Sequence, residues 1–203
     1  MRNDESGIIY YAGGIQHLTD ARYFAARNFD WIGLQVDDTD PDSLKISEAK
    51  AIKEWIEGPS IAIEPGFVDS EELEFLIKEI KPAGILLDMA SFQVQNHSIA
   101  MPRFQIVNDQ TLGYVDQHTF EPQKINWIVS ADLVAPLRQR IEKDSILLDI
   151  KEMHLDSILE FLKSGLVQGI FCTGEMEMAT GIKSYDRLND LLDKLEELGF
   201  KNE

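Results

Sequence analysis

Acidic residues end several short apolar segments of this 203-residue chain, and they are its first candidates for chemistry. Glu64, Asp88 and Asp149 each close such a segment. Carboxylates gathered in one pocket could bind a cationic or polyhydroxylated ligand, or a hard metal ion such as Mg²⁺. Alternatively, an acid between a strand and a helix caps the helix. Capping is less natural for Glu64, because Pro65 and Gly66 follow it.

Five more acids follow the other apolar segments, and capping is the favoured interpretation for Asp109 and Asp132. The five are Asp37, Asp38, Asp109, Asp132 and Glu175. No two of these acids have a spacing that is diagnostic of metal ligands. The four histidines do not form a pattern such as H-E-x-x-H either. The sequence therefore predicts neither a metal site nor a cofactor.

The apolar segments themselves predict the fold. Eight β-branched runs begin 20–29 residues apart: Gly7–Ala12, Trp31–Val36, Ser60–Pro65, Ala83–Asp88, Arg103–Asn108, Ile125–Ala131, Ser145–Ile150 and Val167–Cys172. Runs that are apolar at both alternating positions are typical of parallel strands covered on both faces. We therefore predict a single α/β domain over residues 1–203, a (β/α)8 TIM barrel of minimal length. A doubly wound open sheet is the alternative. In such barrels the functional site lies at the C-terminal ends of the strands, where the acids would ring the mouth.

Helical spacing separates most of these runs. The predicted helices are Leu18–Asn28, Ser47–Glu57, Asp69–Ile80, Ala131–Lys143, Leu155–Ser164 and Ile182–Leu198. In the second, Ile52 and Trp55 share the apolar face. Met89–Pro102 and Asp109–Lys124 have little helical periodicity, so short or irregular helices are expected there.

Composition limits the partners and the location. The 36 acidic residues exceed the 19 basic ones, which gives a net charge of −17 and disfavours nucleic acid and anionic membranes. No stretch approaches the length of a membrane span, and the polar N-terminus has no apolar signal core, so a cytoplasmic location is expected. Cys172 is the single cysteine, which excludes an internal disulfide and a cysteine-based zinc cluster. It is either a nucleophile or a small buried apolar residue.

Two blocks resemble the phosphoribosylanthranilate isomerases, barrel enzymes of tryptophan biosynthesis. Tyr11–Leu34, YAGGIQHLTDARYFAARNFDWIGL, is similar to their opening unit, and Gly169–Leu191, GIFCTGEMEMATGIKSYDRLNDL, is similar to their closing unit. The matching positions are Gly14, Ile15, Asp20, Ala21, Asp30, Gly33, Gly174, Gly181 and Lys183, with Thr173 in place of a serine. The blocks cover about a quarter of the chain, and the resemblance implies the same barrel.

The resemblance also implies a reaction, but the reactive positions differ. The family performs an Amadori rearrangement of a phosphorylated aminoribose, which needs an acid and a base on opposite sides of the substrate. The family base position is Gly13 here, and the family acid position falls near Ser130, with Asp132 as a fallback acid. The family's arginine motif after the second strand is absent, and only Lys45 is nearby.

The phosphate site that the resemblance implies is altered as well. The family binds phosphate through backbone N–H groups after the seventh strand and a Ser-Gly loop after the eighth. Asp149 replaces the first glycine of the former and brings a negative charge, which Lys151 could offset. Thr173 and Gly174 could still supply a hydroxyl and a backbone donor.

Three hypotheses follow from these residues. The leading one is a divergent barrel that has lost the family isomerisation and uses its mouth for altered chemistry or for a small ligand such as a sugar phosphate. The second is an active isomerase with Asp132 as acid and His17 or Cys172 as base. The third is a non-catalytic interaction protein that docks through the acidic face or through Glu175–Ala179, EMEMA. The sequence leaves the oligomeric state open.

Overall fold

Eight parallel strands close into a barrel in the computed structural model of this chain, as the sequence predicted. The strands are β1 Ile9–Ile15, β2 Trp31–Val36, β3 Ser60–Pro65, β4 Gly84–Asp88, β5 Arg103–Ile106, β6 Ile125–Val129, β7 Ser145–Asp149 and β8 Gly169–Thr173. Each strand pairs with the next, and β8 returns to β1, where Tyr11 pairs with Phe171. This closure excludes the open sheet. The structure describes residues 7–37, 40–66, 68–88, 100–117, 125–141, 144–151, 153–174, 177–179, 182–183 and 185–200.

Helices cover the outside of the barrel. They are α1 Leu18–Ala26, α2 Ile46–Trp55, α3 Ser70–Ile80, α4 Val134–Arg138, α5 Leu155–Ser164 and α6 Asp186–Glu197. A 3₁₀ helix at Leu112–Gln117 lies within the second weakly periodic segment, in agreement with the expected irregular helix. Residues 89–99, the core of the first weakly periodic segment, lie outside the described part of the chain. None of the helices in the described ranges has the length and apolar character needed to cross a membrane.

Three details of the predicted helices are wrong. The helix predicted over Ala131–Lys143 is a 3₁₀ turn followed by the short α4, because Pro136 has no N–H for a bond to Asp132 and is tolerated only in a first turn. The last helix begins at Asp186, since Ile182–Lys183 is instead a strand, β10, paired antiparallel with β9 at Glu177–Ala179. Trp55 is 70% exposed at the end of α2, whereas Ala49 and Ile52 are buried.

Aromatic rings fill the inside of the barrel. The inward-facing core comprises Tyr11, Ala62, Leu86, Phe104, Ile128, Leu147 and Phe171. The Tyr11 ring lies 4.5 Å from that of Phe104 and 5.6 Å from that of Phe171, and Trp31 packs 4.9 Å from Phe104. Gly84 leaves the space that Trp31 fills, because a Cβ there would lie 2.7 Å from the indole. The barrel floor beneath the mouth is therefore closed and apolar.

A seam of polar and aromatic contacts joins the first and last helices. The rings of Tyr23 and Tyr185 stack with centroids 3.9 Å apart. The Tyr185 hydroxyl donates to buried Asp20 at 2.7 Å, and the Tyr23 hydroxyl donates to Asn189 at 2.8 Å. Asp20, one of the residues that carry the family resemblance, therefore has a structural part in closing the barrel.

Candidate functional site

Glu64 lies at the C-terminal end of β3, at the mouth of the barrel. Side chains alternate along a strand, so Glu64 faces inward like Ala62 two residues before it. Its carboxylate accepts a hydrogen bond from the Tyr11 hydroxyl at 3.0 Å and another from the Gly14 backbone N–H at 2.8 Å. Tyr11 is fully buried, whereas Glu64 remains partly exposed. Two donors on β1 thus fix a carboxylate that the mouth can still reach.

Two glycines make room for this carboxylate. A Cβ at Gly13 would lie 2.9 Å from Glu64 Oε1 and 2.5 Å from Phe171 Cε2. A Cβ at Gly33 would overlap Glu64 Oε1 and lie 2.5 Å from the Tyr11 oxygen. Position 13 therefore has no side chain of its own, and a carboxylate from β3 lies there instead. An oxygen of Glu64 is next to the place that a Cβ of residue 13 would occupy.

Burial changes the ionisation of this pair. Removal from water raises the pKa of Glu64 to about 7, although the bonds from Gly14 and Tyr11 stabilise the carboxylate and lower its pKa. Burial, and then the charge of Glu64, raise the pKa of Tyr11 well above its ordinary value, so the phenol keeps its proton at neutral pH. A carboxyl group that titrates near neutrality can both accept and return a proton, as general acid–base catalysis requires.

Asp149 provides a second carboxylate at the mouth. It ends β7, and because Leu147 faces inward, alternation directs Asp149 inward too. Its Oδ1 accepts the Lys151 backbone N–H at 2.9 Å. Burial raises the pKa of Asp149, and the hydrogen bond and charge of Lys151 oppose that rise. Since β3 and β7 are four strands apart in a ring of eight, Glu64 and Asp149 lie on opposite sides of the mouth.

The other predicted site residues are less closely assembled. Ser130, Asp132 and Asp109 are exposed, and Thr173 is exposed at the end of β8, with Gly174 directly after it. Asp88 ends β4, but its side chain lies outside the described part, as do Asp38 and Glu175. The EMEMA segment is described only at Glu177–Ala179, the strand β9.

Cys172 and His17, the two residues that could replace the base in an intact isomerase, lie in different parts of the fold. Cys172 packs in the outer core between strands and helices, so the barrel wall separates its thiol from the mouth. His17 is exposed immediately before α1. Among the residues with described side chains, no group of three or more His, Cys, Asp or Glu is arranged to hold a metal ion.

Sequence reasoning missed Tyr11 and Gly33 as site residues. A glycine within an apolar strand often marks a close approach by another group, and Gly33 carries that signal. No comparable signal marks Tyr11, because its partner Glu64 is 53 residues away along the chain.

The sequence matches no model of a known protein family, and no curated protein matches it. Solved structures are similar in fold. The phosphoribosylanthranilate isomerase of Thermus thermophilus superposes with a TM-score of 0.69 at 15% identity, covering 94% of this chain and 100% of that one. The Thermotoga maritima enzyme superposes with a TM-score of 0.68 at 11% identity, and the match covers 94% of this chain and 99% of that one. A variant of the citrate synthase SbnG superposes with a TM-score of 0.62 at 10% identity, and the match covers 95% of this chain and 96% of that one. Since enzymes with different activities share this likeness, it establishes the barrel fold alone.

Proposed function

We propose that this protein is a barrel enzyme that moves a proton on a small, polar, unphosphorylated carbonyl compound, with Glu64 as the general base. The observation that carries the proposal is the Glu64 carboxylate, held at the mouth beside Gly13 with a pKa of about 7. Its place next to the position of the family's missing base favours altered chemistry at a retained site over a binding protein without catalysis.

The chemistry follows from the two facing carboxyl groups. Ionised Glu64 takes a proton from a carbon next to the substrate carbonyl, and Tyr11 and Gly14 hold the carboxylate in place while it does so. Asp149, on the opposite side of the mouth, accepts a hydrogen bond from a substrate hydroxyl through its carboxylate. The hydroxyl proton then passes from the neighbouring oxygen to the former carbonyl oxygen of the resulting enediolate. Return of the proton from Glu64 to the former carbonyl carbon completes an isomerisation with no net gain or loss of atoms.

Asp149 also argues for an unphosphorylated substrate. Phosphate sites in these barrels use backbone N–H groups of the loops after the seventh and eighth strands. Here the Asp149 carboxylate already accepts the Lys151 N–H and brings its own negative charge. A phosphate dianion within a few Å of that carboxylate would be repelled by several kcal/mol at the low effective dielectric of a pocket. A hydroxyl-bearing substrate meets no such repulsion and can donate to the same oxygens.

Solvent-deuterium exchange, followed by NMR, tests the proton transfer before the natural substrate is identified. The probes are dihydroxyacetone, ribulose and ribulose 5-phosphate. We expect deuterium to enter carbon-bound positions of the unphosphorylated ketoses, with the rate falling by about 100-fold or more in Glu64→Gln. Glu57→Gln is the matched control, because Glu57 is exposed on the loop before β3. Failure of all three probes to exchange, or exchange unchanged in Glu64→Gln, would reject the proposal.

The family reaction needs a separate assay, with phosphoribosylanthranilate as substrate and purified protein. We expect no turnover above background, because the Asp149 carboxylate repels the substrate phosphate. Robust turnover would instead establish the intact isomerase.

A further inference from the structure

A cavity of about 600 Å³ lies behind the wall formed by β7 and β8, between these strands and the helices α5 and α6. Its walls are mostly apolar: Ile150, Met153, Leu155, Ile158, Cys172, Leu188 and Leu191. Ile150 and Cys172 belong to the outer core, so this space is on the other side of the barrel wall from Glu64. The apolar part of the cavity is therefore on the outer side of the wall, and its rim includes Thr173 and Gly174 from the loop after β8.

Two cations line the same cavity. Lys151 follows β7 and Arg187 lies in the first turn of α6, where its guanidinium donates to the Met153 carbonyl and is held at the cavity edge. Asp190 is the acid among the described lining residues, and Thr173 adds a hydroxyl. The described lining residues thus include two cations and one acid, on a chain whose net charge is −17. Such a local excess of cations favours an anion at this position.

We propose that this cavity binds a small amphipathic anion: a molecule with one carboxylate and an apolar chain or ring. The volume falls in the range of about 300–1,000 Å³ that is typical of small-molecule sites. Apolar walls stabilise the apolar part by removing it from water, at about 25 cal/mol per Å². The carboxylate lies between Lys151 and Arg187, at the outer edge of the cavity.

Cys172 makes the proposal measurable, because it is the single cysteine of the chain and lines the cavity with only 6% of its surface exposed. The experiment measures the rate of Cys172 alkylation by iodoacetamide in the presence of decanoate, 1-decanol or acetate. We expect decanoate to slow alkylation by about tenfold at saturation, decanol to protect only at higher concentration, and acetate to have no effect. Saturation-transfer NMR on decanoate gives an independent measure of binding.

A pair of charge variants locates the carboxylate. Arg187→Gln should weaken the apparent affinity for decanoate by about fivefold to tenfold and leave that for decanol unchanged. Lys163→Gln, on the exposed face of α5, should change neither. The proposal is overturned if decanoate gives no NMR transfer, if acetate protects as well as decanoate, or if the two variants lose equal affinity. None of these results bears on Glu64, so the proton-transfer proposal stands or falls separately.

Discussion

The carboxyl group proposed as the base, Glu64, imposes a cost on the folded state when it is ionised, since burial favours its neutral form. The pKa of Glu64 rises from an ordinary 4.5 to about 7, so below the unfolded-state pKa the carboxyl group is neutral in both states and the full unfolding free energy is present. The unfolding free energy then falls as the pH rises through about 7, because the folded state must bury the ionised form. A rise of this size corresponds to about 3 kcal/mol of unfolding free energy.

Glu64→Gln should remove this pH dependence. Between about pH 5 and about pH 8, we expect the wild type to lose about 3 kcal/mol more unfolding free energy than the variant, measured by urea denaturation. Asp149, whose pKa is also raised, titrates in both proteins and cancels in the comparison. Identical pH profiles for the two proteins would show that the folded barrel does not raise the pKa of Glu64.

Gly33 tests the packing around the same carboxylate. Gly33→Ala places a methyl group against Glu64 Oε1 and the Tyr11 oxygen, and overpacking of this kind costs about 1–3 kcal/mol. In a Glu64→Ala background the carboxylate is gone, so the same substitution should cost less. A double-mutant cycle of unfolding free energies measures the difference. Additive effects would contradict the close approach of Glu64 to Gly33.

At the scale of elements, the strands were predictable because both of their faces are buried. Trp31–Val36 and Ser60–Pro65 match β2 and β3 residue for residue. The ends of the helices were harder to predict, because they depend on contacts between residues that cannot be recognised in the sequence. The residues at 182–183 pair with β9 instead of joining α6, and Trp55 points to solvent where α2 ends.

The candidate site was predictable in part for a similar reason. A carboxylate at the end of an apolar strand, followed by Pro65 and Gly66, is visible in the sequence, and this identified Glu64. Its partnership with Tyr11 depends on β1 and β3 lying on either side of Gly33 in the curved wall. The raised pKa depends on the same closure, because only the assembled barrel removes Glu64 from water.

The seam between α1 and α6 gives a prediction at this scale. Tyr185→Phe keeps the stack on Tyr23 but removes the hydroxyl that donates to buried Asp20. Loss of a donor to a buried carboxylate should lower the unfolding free energy by about 1–3 kcal/mol. Tyr114→Phe is the control, since Tyr114 is 39% exposed. Equal thermal midpoints for the two variants would mean that the seam does not stabilise barrel closure.

The charge of the whole molecule sets its response to salt. With 36 acidic against 19 basic residues, the folded chain concentrates a net charge of −17, and mutual repulsion destabilises the compact state. Salt also weakens exposed pairs such as Lys50–Glu79 at 3.2 Å, but each such pair contributes only about 0–1 kcal/mol. Repulsion among the excess acids therefore dominates.

Raising NaCl from about 10 mM to about 0.5 M shortens the screening length from about 30 Å to less than 8 Å, so the thermal midpoint should rise by several degrees. KCl at equal ionic strength should give the same rise, since screening depends on ionic strength and not on the cation. A midpoint that falls in both salts would show that attractive pairs outweigh the net repulsion.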